Sequence, residues 1–158
     1  GGTLLNRELS VREKRMLERF KAEQVPVAFV GLCGMGDDLW RGGLWEFAPM
    51  LVGKSHVSLH VEEVFKSITW ATDILGAAKV VLVAQDGSGA AVLHAAVHAR
   101  RLAPGLVAGV AVVGDTCCLA DVAVARRHEL PWQMQMYGVL KHYDLPDLLA
   151  ALARRNGP

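Results

Sequence analysis

Residues 79–96 read Lys-Val-Val-Leu-Val-Ala-Gln-Asp-Gly-Ser-Gly-Ala-Ala-Val-Leu-His-Ala-Ala, an apolar run that meets a small-residue turn and then an alanine-rich stretch. Val80 to Ala84 form a segment too short and too β-branched for a buried helix, so the spacing predicts a strand. Gly87 and Gly89 allow the backbone angles of a sharp reversal that a side chain would oppose. A helix from about 88 to 102 follows and ends before Pro104. The unit is strand, tight turn, helix, with the polar pair Asp86 and Ser88 in the turn. In an open parallel sheet, ligands bind at the carboxyl ends of the strands, which makes this turn the first place to look for chemistry.

Working outward, Val61, Val64, Phe65, Ile68, Ala71, Thr72 and Leu75 recur at steps of three and four, predicting a helix over 58–75 that Gly76 stops. Leu106 to Val113 is another apolar run, ending at Gly114-Asp115, and matches a buried parallel strand. Toward the amino terminus, Ser10 and Glu13 have capping-box spacing ahead of Val11, Met16, Leu17 and Phe20, which predicts an amphipathic helix through Ala22 with a basic outer face. Val25 to Leu32, with Pro26 at its start, predicts a buried strand over 26–32. Residues 39–54, with Trp40, Trp45, Phe47 and Pro49, read as a packed loop. Beyond Thr116 the pattern predicts a short helix over 120–127, a loop over 131–137, and a last helix from Leu145. Asp144 is that helix's N-cap, Pro146 sits at its first helical position, and Arg154 and Arg155 suit its carboxyl-terminal dipole. Alternating helices and strands define an α/β class, read as a three-layer sandwich with a mostly parallel sheet in one domain over 1–158.

The chain has 158 residues, 52% apolar and 21% charged, enough for a core and too balanced for disorder. A formal net charge of +1, with Lys and Arg dispersed, gives no electrostatic footprint for nucleic acid. No apolar run approaches the roughly 20 residues needed to cross a bilayer, and the first residues do not form a signal peptide. Cys33, Cys117 and Cys118 lack a CxxC spacing and read as buried reduced thiols, which leans cytoplasmic.

Three stretches resemble the bacterial acetyl-xylan-esterase-like branch of the α/β-hydrolase superfamily, related to dienelactone hydrolases. Val80-Val-Leu-Val-Ala-Gln-Asp-Gly-Ser-Gly has the register of a nucleophile elbow. Phe29-Val-Gly-Leu-Cys-Gly-Met-Gly-Asp is similar to the strand and glycine-rich loop that such enzymes place earlier in the sheet. Tyr137-Gly-Val-Leu-Lys-His-Tyr-Asp-Leu-Pro-Asp-Leu-Leu-Ala-Ala-Leu resembles a late-helix stretch of the branch. The resemblance implies an α/β-hydrolase-like fold, incomplete at both ends, and in complete form a carboxylic-ester hydrolase of acetyl-esterase type. It implies a small-molecule ester as substrate and no cofactor.

Within the elbow, register puts Asp86 at the nucleophile position between Ala84 and Ser88, whereas an esterase has serine there. The motif is AxDxS. Moving the nucleophile to Ser88 restores the serine but lengthens the strand by two residues. An aspartate at an elbow is coherent with the dehalogenases and epoxide hydrolases of this fold, whose carboxylate attacks carbon to form an ester that water then cleaves. With Ser88 as nucleophile the path is an acyl-enzyme, with Gly87 and Gly89 as turn residues and the Gly89 amide contributing to an oxyanion hole. The structural alternative is that Asp86 bonds the turn amides and Ser88 caps the helix. The acid and histidine of the family follow later strands than any read here, and neither His128 nor His142 stands in the expected place. Two further functions remain open: a non-catalytic hydrolase-like domain, which associates with other segments or with copies of itself, and a nucleotide-binding domain using Gly31–Gly36 or Gly87–Gly89. The GxxGxG spacing of Gly31, Gly34 and Gly36 differs from the dinucleotide fingerprint GxGxxG, which argues for a plain turn. His56 and His60, and His94 and His98, share helix faces at i, i+4. No carboxylate or cysteine completes a four-ligand metal set, so no metal is assigned.

Overall fold

In the computed structural model, residues 10–34, 48–85, 87–114, 118–126 and 134–154 are described. The chain divides into two compact units, Gly1–Trp40 and Arg41–Pro158. Across them the described residues make a mixed α/β structure of six helices and a two-stranded parallel sheet.

In the first unit, helix α1 (Val11–Ala22) begins where the sequence places it. The Glu13 amide donates to Ser10 Oγ at 3.2 Å and the Ser10 amide to Glu13 Oε2 at 2.7 Å, so two otherwise orphaned donors are satisfied reciprocally. The helix ends without a glycine. Gln24 takes the left-handed position at φ 57°, while the Val25 amide closes onto the Phe20 carbonyl and the Gln24 amide onto Lys21. The predicted strand over 26–32 is not formed: residues 25–32 join neither strand of the sheet. A strand needs a partner for its backbone as well as an apolar composition, and Val30 is 52% exposed here.

The second unit is built on a βαβ unit, β1 (Val80–Gln85), α4 (Gly89–Leu102) and β2 (Val107–Val113). The strands pair in parallel from Val80 with Val107 to Gln85 with Val113, with one irregularity at Val80/Val81. Before them, α2 (Ala48–Leu51) is a single helical turn with Pro49 buried, within the stretch read as a loop. The α3 helix (His56–Asp73) starts two residues earlier than periodicity places it, because Ser55 and Ser58 exchange side-chain and amide bonds in a capping box. Gly76, at φ 68°, lies just beyond its end as expected. Two shorter helices complete the unit, α5 (Leu119–Val124) and α6 (Leu145–Ala153), with a 3-10 turn at Val139–Lys141.

Helix α4 is the hub. It packs on both strands and on α3 and α6. Ala90, Ala91, Ala95, Ala96 and Ala99 are all buried, and their small side chains let the helix approach its neighbours closely. Val57, Leu93, Leu119, Met134 and Leu145 fill the space around them, with Val110, Val112 and Leu148 at the margin. The other sheet face carries Val81 and Val83, both exposed. Of the thiols, Cys33 is exposed rather than buried and Cys118 half-buried, and neither is in a disulfide. Cys33 sits in the tight turn at Gly34. No helix among the described residues is long and apolar enough to cross a membrane.

Candidate functional site

The carboxyl ends of β1 and β2 lie side by side, since Gln85 pairs with Val113. Each strand is followed by a glycine with positive φ, Gly87 at 95° and Gly114 at 69°. Both glycines therefore fall on one edge of the sheet, the edge at which parallel sheets bind ligands. Ala84 is buried immediately before the turn, and Gly89 and Ala90 are buried immediately after it. A larger side chain at these positions would push α4 off the sheet.

Ser88 occupies the N-cap position of α4 but makes no side-chain cap bond. Its hydroxyl turns back to the strand, donating to the Gln85 carbonyl at 2.9 Å and accepting from the Gln85 amide at 3.1 Å. The backbone at Ser88 is relaxed, with φ −88° and ψ −5°, and Gly87 beside it is left-handed. An elbow nucleophile sits on the strained position and points its oxygen away from the sheet. Here the serine closes the end of β1 instead, a structural role different from the helix cap that its residue type suggests. Asp86, the other nucleophile position, lies outside the described residues, as do His128 and Cys117.

The described histidines serve other contacts. His94, on α4, has Nδ1 2.6 Å from the Ala90 carbonyl and Nε2 2.7 Å from the Tyr143 hydroxyl. A carbonyl only accepts, so Nδ1 carries the proton and Nε2 accepts from Tyr143. Burial lowers the His94 pKa and outweighs the Ala90 bond, which raises it; His98 adds to the lowering. Burial likewise raises the Tyr143 pKa. This pair holds α4 to the residues before α6. His56 and His60 have ring centroids 6.3 Å apart on α3, with His60 buried. His98 and His142 are exposed. Among the described residues no group of three His, Cys, Asp or Glu side chains is placed to hold a metal ion.

One polar centre is only half visible in sequence. Asp144 caps α6, as predicted, with Oδ1 2.6 Å from the Leu145 amide. The same carboxylate also accepts from the Leu119 amide at 2.8 Å, the Ala120 amide at 3.0 Å and the Cys118 thiol at 3.2 Å. One side chain thus caps two helices and ties the segment beyond β2 to α6. Burial works to raise its pKa, but the three amides and the thiol outweigh burial and leave it lowered. At Cys118 the Asp121 amide favours the thiolate, while the Asp144 bond and burial oppose it and leave the pKa raised. The thiol stays protonated and donates to Asp144. At the far end of α6, Arg100 from α4 donates to the carbonyls of Ala151, Leu152 and Arg154. It takes the dipole-complementing place that the sequence gives to Arg154 and Arg155.

No protein-family model matches the chain, and no match is found among curated proteins or solved structures.

Proposed function

We propose that the chain is an α/β-hydrolase-like domain of the acetyl-xylan-esterase-like kind, whose turn at 84–89 stands in the place of the nucleophile elbow. In complete form it would be a three-layer sandwich hydrolysing a small carboxylic ester. The observation that supports this reading is the strand, left-handed turn and buried small-residue helix at the carboxyl edge of a parallel strand pair. That is the local architecture in which a hydrolase presents its nucleophile.

A second reading, a non-catalytic domain of the same kind, is favoured by Ser88 itself. Both hydrogen bonds of its hydroxyl go to Gln85, and no described histidine bonds to it. The two readings separate on a direct assay. Hydrolysis of an aryl acetate that falls on Asp86→Asn or on Ser88→Ala, with Ser88 labelled by an organophosphonate in the second case, supports catalysis. Hydrolysis unchanged in both variants, or absent from the parent chain, supports the non-catalytic domain. Saturable binding of a nucleotide in calorimetry would replace both with the phosphate-loop reading.

A further inference from the structure

Helix α6 is 9 residues long, shorter than the roughly 12 that an isolated helix needs to persist in water, so it depends on what it is docked to. Its apolar hold is narrow. Leu145 is fully buried and Leu148 and Leu152 pack at the margin of the core, while Leu149 is 45% exposed. Polar ties at both ends supply the rest. At the amino end Tyr143 donates to His94 Nε2 at 2.7 Å, and Asp144 accepts from the Leu119 and Ala120 amides and the Cys118 thiol. At the carboxyl end Arg100 donates to the carbonyls of Ala151, Leu152 and Arg154.

The two ends differ in how they meet a proton. Arg100 keeps its charge, so the carboxyl-end tie does not titrate. Neutral His94 has one acceptor nitrogen, Nε2, because Nδ1 gives its proton to the Ala90 carbonyl at 2.6 Å. A proton on Nε2 turns that acceptor into a donor aimed at the donor hydroxyl of Tyr143. The phenol must then turn its own proton away and accept, and the new charge sits where burial disfavours it. His98, one turn along α4, adds a charge of the same sign. Of the elements packed on α4, β1 and β2 carry no ionisable side chain, α6 carries Asp147, and α3 carries His56, His60, Glu62, Glu63, Lys66 and Asp73. None of these offsets the charge on His94. Asp144 takes up its proton at lower pH, beside two further acids, Asp121 of α5 and Asp147, and then loses the charge that draws amides from two helices.

We propose that α6 is an acid-released flap, latched at its amino end by the His94–Tyr143 pair with Asp144 beside it and hinged at the end that Arg100 holds. Proton uptake by His94 frees Tyr143, lifts Leu145 out of the core and uncovers the surface of α4 beneath it. The βαβ unit stays folded, because neither strand has a group that titrates with the latch. Once undocked, a helix of this length also loses its helical structure. The inference does not depend on the hydrolase reading.

The test is amide hydrogen exchange of the whole chain, corrected for the pH dependence of the intrinsic rates, from about pH 8 down to the pH at which the strands themselves open. The opening constant of the α6 amides is expected to be flat above about pH 6.5 and then to rise by as much as about tenfold per pH unit, earliest at the amino end of the helix. Amides of β1, β2 and the middle of α4 should show no such rise in that range. His94→Gln has no titrating ring and keeps an acceptor for Tyr143, so the rise should vanish. Tyr143→Phe should open α6 several-fold already at about pH 8. An α6 opening constant that does not change with pH overturns the proposal. So does a rise shared equally by the strands and α4, or one that persists in His94→Gln. Should His94→Gln not fold, NMR of the parent chain decides: a His94 ring that titrates at or above about 6.5 overturns the latch, and one that titrates below the onset of the α6 rise supports it.

Discussion

Replacing Asp144 by alanine removes one carboxylate and with it four hydrogen bonds, from the amides of Leu119, Ala120 and Leu145 and from the Cys118 thiol. An N-cap contributes about 1 kcal/mol, and here two helices share one cap, giving about 2 kcal/mol. The link between residues 118–120 and α6 adds a charge-assisted bond of about 1.5 kcal/mol at the lower end, reduced because the side chain is only half-buried and water replaces part of what is lost. The expected cost of Asp144→Ala is thus about 2–3 kcal/mol at pH 7. Asp144→Asn keeps one acceptor oxygen and should cost about half as much. Urea unfolding measures this as a lower midpoint at unchanged slope. The pH dependence supplies an independent check. The folded-state pKa of Asp144 is lowered, so its stabilisation is full above the ordinary carboxylate value near 4 and is lost as pH falls through the lower folded value. The gap between parent and Asp144→Ala should therefore close in strong acid. A cost under about 0.5 kcal/mol at pH 7, or a gap that does not narrow as pH falls below the ordinary carboxylate range, would refute the double-cap reasoning.

Gln24 pays for its left-handed backbone at the end of α1, so Gln24→Gly should raise stability by about 0.5–1 kcal/mol in thermal or urea unfolding. Gly87 presents the reverse case: at φ 95°, Gly87→Ala should cost about 1–2 kcal/mol, with a larger loss of amide protection at the start of α4 than elsewhere. His94→Phe and Tyr143→Phe should each destabilise, and a double-mutant cycle should return a coupling of about 1 kcal/mol for their hydrogen bond. Because the folded His94 pKa is lowered, the unfolded chain takes up its proton first as pH falls. Stability from this group should decline between the ordinary histidine value of about 6.5 and the lower folded value, and an NMR titration of the His94 ring should have its midpoint below 6.5.

What the sequence makes legible here is local. Strands β1 and β2, helix α4 between them, the Ser10–Glu13 box and the Asp144–Pro146 start of α6 all follow from short-range periodicity and capping chemistry, and all are present. The stretch over 26–32 has the same apolar, β-branched composition as β1 but does not join the sheet, because composition does not supply a neighbouring strand. Helix α1 ends at Gln24 with the hydrogen bonds usually completed by glycine, so no residue type marks that stop. The ties that organise the second unit span long separations: His94 to Tyr143, Arg100 to the end of α6, Cys118–Ala120 to Asp144. Each uses a residue whose local role already looks complete, a helical histidine, a surface arginine and a helix cap. A periodicity argument has no reason to ask more of them.

Ser88 shows how far such a double role bears on chemistry. For its hydroxyl to act as a nucleophile it must leave Gln85, giving up two hydrogen bonds at about 1 kcal/mol each, a penalty of roughly thirtyfold in population. A general base contributes about 10²–10⁴ in rate, so the base matters more than the closed geometry. Among the described histidines, His94 has the free-base form that such a step needs, since burial keeps it neutral. Yet its Nε2 lone pair is taken by Tyr143 and its Nδ1 proton by Ala90. Freeing it would loosen the contact between α4 and α6 and still leave a base weakened by burial. With no base in place among the described residues, acylation of Ser88 is expected to be slow, and Ser88→Ala should change stability more than turnover. Any substantial hydrolysis by this chain should instead respond to Asp86→Asn, and a rate that Asp86→Asn leaves intact while Ser88→Ala removes it would overturn this ordering of the two positions.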